Sequence, residues 1–450
     1  RSTLFPYTTL FRSRTGIIAG NLTLSSGTTL YGDAFAISVG GNWANSGTFV
    51  AGTGSVILNG TGTQTISSTT FNDLTINKAG GSASLTGNIT INSNLSLLAG
   101  TFDLATYTAN RGSAGGQLTI SNGATLSVAG NNNFPQNFAG SVLGNSSTVH
   151  YNGAIAQTVT GTTYGHLVFS NGGANVKTLS APVTINGDIT LNSGATFNAA
   201  SHTINLWGNW SNSGTFEPVT NTLVLNGSGK TINGNTIFNR VTVYGSYSVI
   251  NNSDITYNGL LFVTSSGTYA AGGGTATVQG DLTNSGSLTS TGVTTFTGTT
   301  VQTIRLINAL VSTSTGVVNF NGSISPVMNS TSTPTFANLN INNTAGVNPS
   351  KDWLVLVSMT VGSGGVFNGG LSTHTIAGSF TNNGTVTSDG ILSFAPSSSA
   401  TIKLAGTSFS STGTVIFGGT GPVTVTGVPT ALNDVRITNT NAAEIGRAHV

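Results

Sequence analysis

The sequence predicts an all-β chain wound as a right-handed parallel β-helix, a solenoid of roughly 18 coils with about 24 residues in each coil. Two observations predict this fold: a composition that disfavours helices, and short motifs that recur along the chain. Charged residues make up only 5% of the 450 residues, whereas Gly alone accounts for 62. Gly, Thr, Asn and Ser are poor helix formers, and too few charged residues are present to solubilise a helix face.

The same composition excludes several other classes of protein. The chain has no Cys, so it can form neither a disulfide framework nor a Cys-ligated zinc site. Its 10 Pro residues are too few for collagen. No apolar run approaches the ~18 residues that a membrane helix requires, and we therefore expect no transmembrane segment here.

A nine-residue motif recurs four times and carries most of the evidence for a repeat. Its copies begin at Gly41, Gly208, Gly280 and Gly378 and read GNWANSGTF, GNWSNSGTF, GDLTNSGSL and GSFTNNGTV. The third position exchanges Trp for Leu and Phe, which predicts a place in a core ladder rather than a platform for stacking sugars. The fifth position is always Asn, which predicts amide hydrogen bonds between coils at a corner.

Two further motifs follow the first in a fixed order, NGxGxQTI and FNxLTI. The copies of the FNxLTI motif begin at residues 71, 164, 238, 336 and 432, so their spacings are 93, 74, 98 and 96 residues. The spacings differ by about one unit of 24 residues, as expected when a solenoid gains or loses a whole coil. Short alternating apolar and hydroxylated runs between Asn-Gly and Ser-Gly turns predict the strands of each coil.

The alternative fold is a tandem array of β-sandwich repeats of about 95 residues each. Sandwich strands are usually longer than these, and turn signals come every 8–12 residues. Insertion in steps of one coil of about 24 residues favours the solenoid over the sandwich array.

The tandem GNWxNSGTF, NGxGxQTI and FNxLTI units resemble the β-strand repeats of large secreted bacterial surface proteins. That class includes autotransporter passengers and filamentous-haemagglutinin-like adhesins. The resemblance implies export, a location outside the cell or at the bacterial cell surface, and a role in adhesion or matrix formation. We therefore expect a structural or adhesive passenger segment without catalytic activity. The alternative is a β-helix that binds glycans or acts on polysaccharides as a lyase or hydrolase.

Both ends of the chain resemble translated sequencing adapters. Residues 1–13 read RSTLFPYTTLFRS and residues 445–450 read IGRAHV, with Glu444 across the second junction. We therefore predict that residues 1–13 and 444–450 are adapter-derived and that residues 14–443 form a single β-helix fragment. Without these ends the 13 basic and 11 acidic residues become 10 of each, which leaves no net charge to attract nucleic acid.

A search for reactive constellations assigns no catalytic, cofactor-binding or metal-binding residue. The native acids lie more than 10 residues apart. Stacking of coils could still bring distant acids together, for instance Asp254 and Asp281, which we interpret as unrelated turn residues. The native histidines show no HExxH or other paired spacing, and His150 and His166 merely flank one turn region.

Two stretches depart from the repeat, residues 105–148, which contain the run Asn131–Asn137, and residues 305–335. Each is interpreted first as a degenerate coil and second as a loop that binds a ligand, since solenoid insertions often lie on the binding face. Surface glycans or other matrix components are the expected partners. Uncapped coils at cut ends also predict end-to-end self-association.

Overall fold

The protein is all-β, as the sequence predicts, and is built from short parallel strands stacked coil upon coil. The computed structural model describes residues 15–171, 175–308, 310–312 and 315–441. The two segments interpreted as adapter-derived lie outside the described residues. The chain divides into two compact units between Val219 and Thr220, and both together hold about 20 coils. The interpretation of residues 14–443 as one fragment stays a prediction.

Within its described residues, the first unit contains 27 strands. In chain order these are Thr15–Ile18, Leu22–Leu24, Thr29–Tyr31, Ala36–Val39, Trp43–Asn45, Thr48–Val50, Ser55–Leu58, Gln64–Ile66, Thr70–Phe71, Asp73–Leu85, Ile89–Ile91, Leu95–Asp103, Ala109–Arg111, Gly115–Ile120, Thr125–Val128, Phe138–Leu143, Thr148–Tyr151, Gln157–Val159, Thr163–Tyr164, His166–Phe169, Val176–Leu179, Val183–Ile185, Ile189–Leu191, Thr196–Asn198, Thr203–Leu206, Trp210–Asn212 and Thr215–Glu217.

The part of the second unit that the structure describes contains 25 strands. In chain order these are Thr222–Leu225, Lys230–Asn233, Thr236–Val243, Ser246–Ile250, Ile255–Val263, Thr268–Ala270, Thr275–Val278, Asp281–Asn284, Ser287–Ser290, Val293–Phe296, Thr303–Leu306, Leu310–Ser312, Val317–Phe320, Val327–Met328, Thr335–Ile341, Trp353–Val361, Val366–Asn368, Thr373–Ile376, Ser379–Asn382, Thr385–Ser388, Ile391–Phe394, Ala400–Lys403, Ser408–Phe417, Val423–Thr426 and Ala431–Ile437.

Strands pair in parallel with the strand one coil away, which is the pairing of a solenoid and not the antiparallel pairing of a sandwich. In the first unit, register partners lie 18 residues apart at Ser55 and Asp73 but 24 apart at Thr101 and Thr125. In the second unit the separation runs from 17 residues, at Lys230 and Tyr247, to 24, at Val293 and Val317. The predicted 24 residues are therefore the upper end of the coil length, because tight Gly and Asn turns shorten many coils.

Side chains alternate along each strand between the solenoid interior and its surface, as the period of two requires. The strand Thr148–Tyr151, for example, buries Val149 and Tyr151 and leaves the intervening positions half-buried. The Trp of the repeat motif belongs to this interior, as predicted. Trp43 and Trp210 are 1% and 0% exposed, and each meets the Phe six residues later edge to face at 4.9 Å.

A buried Gln closes one corner of the coil wherever the NGxGxQTI motif keeps it. Gln157 accepts a hydrogen bond from the Gly153 N–H at 2.9 Å. It donates in turn to the carbonyl oxygens of Val128 at 2.8 Å and Gly130 at 3.1 Å, one coil away. Gln64 and Gln302 donate to equivalent pairs of carbonyls. The amide thus satisfies backbone groups that the sharp turn would otherwise leave buried and unpaired.

The conserved Asn of the nine-residue motif forms hydrogen bonds between coils, but not by stacking on another Asn. Asn382 accepts from the Gly384 N–H two residues on, which closes a local turn, and donates to the carbonyls of Leu404 and Ser408 in the next coil. Successive copies of the motif are several coils apart, so the amides cannot reach one another.

Within the described ranges, no helix is long and apolar enough to serve as a membrane span.

Candidate functional site

A groove opens in the first unit, beside the loop that follows strand Thr125–Val128. It has a volume of about 560 Å³, within the range of small-molecule sites. The other cavities described hold 30 Å³ or less, about enough for a single water molecule. The groove lies in the first irregular stretch, where the sequence left a degenerate coil and a ligand-binding loop both open.

The loop that forms one wall is fixed to the coil beneath it by Asn133. This side chain is 2% exposed, and its Nδ2 donates to the carbonyl oxygens of Ala105 at 3.0 Å and Tyr107 at 2.8 Å. The adjacent Phe134 is also buried and meets the Tyr164 ring edge to face. These contacts hold the loop against the solenoid and leave its polar flanks exposed.

Asn residues shape the loop on either side of this anchor. Asn132 and Asn137 adopt φ angles of 54° and 67°, in the left-handed region that Asn tolerates better than most residues. The Asn137 Nδ2 donates to the Arg111 carbonyl at 2.8 Å, and the backbone N–H of Gln136 donates to Asn110 Oδ1 at 2.9 Å. The wall is therefore pinned at both ends.

The opposite wall is the turn after strand Gln157–Val159, and two buried tyrosines hold it. The Thr160 N–H donates to the Tyr151 hydroxyl at 3.1 Å, and the Tyr164 hydroxyl donates to the Thr160 carbonyl at 2.6 Å. The two hydroxyls are 3.2 Å apart. Burial raises the pKa of both tyrosines, so both stay protonated at neutral pH. Thr160 is thereby fixed in place, and its hydroxyl also hydrogen-bonds to Tyr151.

The lining of the groove is polar, uncharged and flanked by apolar surface. Its side chains are amides and hydroxyls together with two aromatic rings and a proline: Asn132, Gln136, Asn137, Ser141, Thr158, Thr160, Thr162, Ser180, Phe134, Phe138 and Pro135, with Gly161 completing the turn. Amides and hydroxyls both donate and accept hydrogen bonds. Such a lining suits a neutral ligand rich in hydroxyl groups, and offers no counter-charge to an anion or a cation.

Carboxylates serve another purpose in this protein, since they join one coil to the next. Asp188 Oδ1 accepts from the backbone N–H of Asn209 at 2.7 Å, one coil away. Asp254 does the same for Thr275, and Asp281 for Thr303, each at 2.7 Å. Asp281 is in register with Leu260 and not with Asp254, so the register does not pair these two acids.

The two histidines flanking the turn region have separate partners. The Nε2 of His150 lies 2.6 Å from the Ser170 hydroxyl, and the Nδ1 of His166 accepts from the Asp188 N–H at 2.9 Å. Burial, and secondly the charge of Lys177, lower the pKa of His150. Among the residues that the structure describes, no three His, Asp or Glu side chains converge as a metal site would require.

Sequence reasoning missed two buried lysines beside the Gln corners. Lys78 and Lys177 are 1% and 0% exposed. The Nζ of Lys177 donates to the carbonyls of Gly153 at 3.0 Å and Asn171 at 3.2 Å. Burial lowers the pKa of both lysines. In the sequence, Lys78 and Lys177 alternate with apolar residues, a pattern that indicates an interior position. The pattern is a weak signal because lysine is seldom fully buried.

The second irregular stretch, residues 305–335, continues the solenoid where it is described. The strand Val317–Phe320 lies in register with Val293–Phe296 before it and with residues 338–341 after it. The described part of that stretch therefore belongs to the solenoid, and both interpretations of the stretch stay predictions.

The comparisons with known proteins add no relative: no family model, curated protein or solved structure matches the chain.

Proposed function

We propose that this protein is a structural and adhesive segment of an exported bacterial surface protein, and that its groove binds a neutral glycan. One observation carries the proposal: a groove of ligand size is lined by amides, hydroxyls, two aromatic rings and a proline, without a charged side chain. The repeated coils supply a rigid support, and the loop supplies the contact.

Rigidity supports binding over catalysis as the role of the groove. The loop wall is held by Asn133 and the facing wall by Tyr151 and Tyr164, so both walls are preorganised before a ligand arrives. Cleavage of a polysaccharide would require carboxylates or basic groups at the scissile bond. The lining contains neither, and the aspartates Asp188, Asp254 and Asp281 are engaged in joining coils.

The test is glycan binding by the protein and by a double variant, Thr160→Val with Thr162→Val. Valine keeps the shape of threonine and removes its hydroxyl. The side-chain hydrogen bond of Thr160 to Tyr151 is lost with it, while the backbone hydrogen bonds of Thr160 to the tyrosines remain. The matched control is Thr178→Val, an exposed threonine of strand Val176–Leu179 that does not line the groove.

We expect the protein and the control to bind neutral polysaccharides on an array and the double variant to bind at least about tenfold more weakly, since each lost hydrogen bond is worth about 1 kcal/mol. Equal binding by all three proteins would refute the groove as the site. Release of shortened saccharides during incubation would instead establish the polysaccharide-active alternative.

A further inference from the structure

Three of the four tryptophans are buried in the solenoid, and the fourth is not. Trp43, Trp210 and Trp353 are at most 2% exposed, whereas Trp207 is 49% exposed, although it lies only three residues before Trp210. A large aromatic ring on the surface of a chain with few exposed aromatics is a mark of a contact site.

The fold itself does not require tryptophan at this position. The residue directly before the nine-residue motif is Gly40 in the first copy, Trp207 in the second, Gln279 in the third and Ala377 in the fourth. The same corner is therefore built with no side chain, with a small one or with a polar one. The backbone of Trp207 contacts the preceding coil, since its N–H donates a hydrogen bond to the Ile185 carbonyl at 2.9 Å.

A ladder of amides leads up to this ring. Strand Val183–Ile185 is in register with residues 204–206, so Asn186 stands one coil before Trp207 at the same corner. The Asn186 Nδ2 donates to Asn145 Oδ1 at 3.0 Å, although the two residues are 41 apart in sequence. Within the described residues this bond leaves the Asn186 Oδ1 as an acceptor and the Asn145 Nδ2 as a donor.

Gly165 makes the ladder possible. It is one coil before Asn186, and the turn that contains Asn145 packs against it: a Cβ at Gly165 would lie 2.3 Å from the Gly144 carbonyl oxygen. The missing side chain lets this turn pack closely against the coil that precedes Asn186. Three coil steps of about 4.8 Å separate Asn145 from Trp207, so the strip is about 14 Å long.

We propose that Asn145, Asn186 and Trp207 form a second glycan-binding strip, on which a neutral pyranose stacks against the indole and hydrogen-bonds to the amides. The apolar face of a pyranose fits a flat aromatic ring, and its hydroxyls fit an amide that both donates and accepts. This inference rests on the proposed function in one respect only, namely that the ligand is a neutral glycan. The strip and the groove share a coil, since Thr162 and Gly165 are three residues apart, about 10 Å along the chain.

The experiment measures affinity for three neutral polysaccharides: dextran, galactomannan and xyloglucan. It compares the intact protein with the variants Trp207→Ala, Trp207→Tyr and Asn186→Ala. We expect about tenfold weaker binding of at least one polysaccharide for Trp207→Ala and for Asn186→Ala, and near-normal binding for Trp207→Tyr, which keeps a ring. Bound polysaccharide should also protect the indole of Trp207 from quenching by acrylamide.

The outcomes separate the two sites. If Trp207→Ala binds every polysaccharide as tightly as the intact protein, while the double variant Thr160→Val with Thr162→Val loses binding, the strip is refuted and the groove stands. If Trp207→Ala fails while the threonine variant binds normally, the groove is refuted and the strip stands. Absence of binding to all three polysaccharides, with the indole quenched equally with and without them, overturns the strip as a neutral-glycan site.

Discussion

The Nζ of Lys78 donates a 2.6 Å hydrogen bond to the side-chain Oε1 of Gln64, at a corner where both residues are only 1% exposed. The same Nζ donates to the Gly60 carbonyl at 2.6 Å. A lysine held by neutral oxygens is stabilised by hydrogen bonds but loses the hydration of its charge. This explains why burial lowers the pKa of Lys78, and of Lys177 at the equivalent corner.

These lysines should make the stability of the protein depend on pH in the alkaline range. Their pKa in the folded state lies below the ordinary value of 10.5. Between the two values the unfolded chain binds more protons, so the free energy of unfolding rises as pH rises. Replacing both residues, as Lys78→Met with Lys177→Met, should remove this rise.

The measurement is urea unfolding at several pH values up to 10. Buried Tyr151 and Tyr164 have a raised pKa and lower the stability above their ordinary value of 10, so higher pH is avoided. If the free energy of unfolding changes with pH equally in the protein and in the double Met variant, the lysines do not titrate in this pH range.

Trp210 and Trp207 form a matched pair for testing the core. Trp210→Ala should destabilise the protein by about 3–5 kcal/mol, because it removes a fully buried ring that packs on Phe216. Trp207→Ala should change the free energy of unfolding by less than about 0.5 kcal/mol, as expected for an exposed position. Denaturant unfolding monitored by far-UV circular dichroism measures the stability of both variants. Equal losses of stability would contradict the assignment of Trp210 to the core and Trp207 to the surface.

The Gln corner should be essential to its coil. Gln157→Leu keeps the approximate volume but leaves the Gly153 N–H and the carbonyls of Val128 and Gly130 without this partner. Each buried group left unpaired costs about 1–3 kcal/mol. Gln117→Leu, at an exposed position, is the control. A thermal midpoint for Gln157→Leu as high as that of the control would show that the amide is dispensable.

The anchor of the loop can be tested by Asn133→Ala. The variant loses two hydrogen bonds to buried carbonyls, and we expect a loss of about 1–3 kcal/mol in stability together with weaker glycan binding. Asn131→Ala alters an exposed residue of the same loop and is the control. Native-state hydrogen exchange over residues 129–137 measures the loosening, and unchanged protection would contradict the anchoring role of Asn133.

The sequence allowed the fold to be predicted because its main determinants are local. Alternation of apolar and polar residues places side chains such as Val149 inside, and exchange of Trp43 for Leu or Phe in later copies identifies a core position. Coil length was less accessible, because turns such as the one between Leu58 and Gln64 shorten a coil without altering the motif.

The candidate site was only half predictable. The run Asn131–Asn137 departs visibly from the repeat, and the sequence identified it as a degenerate coil or a binding loop. The facing wall at Thr160 comes from the next coil, and which residues meet there depends on the strand register. Register also brings Asn186 to Asn145, a contact that no motif records.

The most direct test of the account is the affinity of the intact protein for a neutral galactomannan and for an anionic polygalacturonan, at low and at high salt. The uncharged groove predicts binding of the neutral polymer with little dependence on salt, and a clear loss in Thr160→Val with Thr162→Val. Binding of the anionic polymer alone, weakened by salt and unaffected by that variant, would contradict the account.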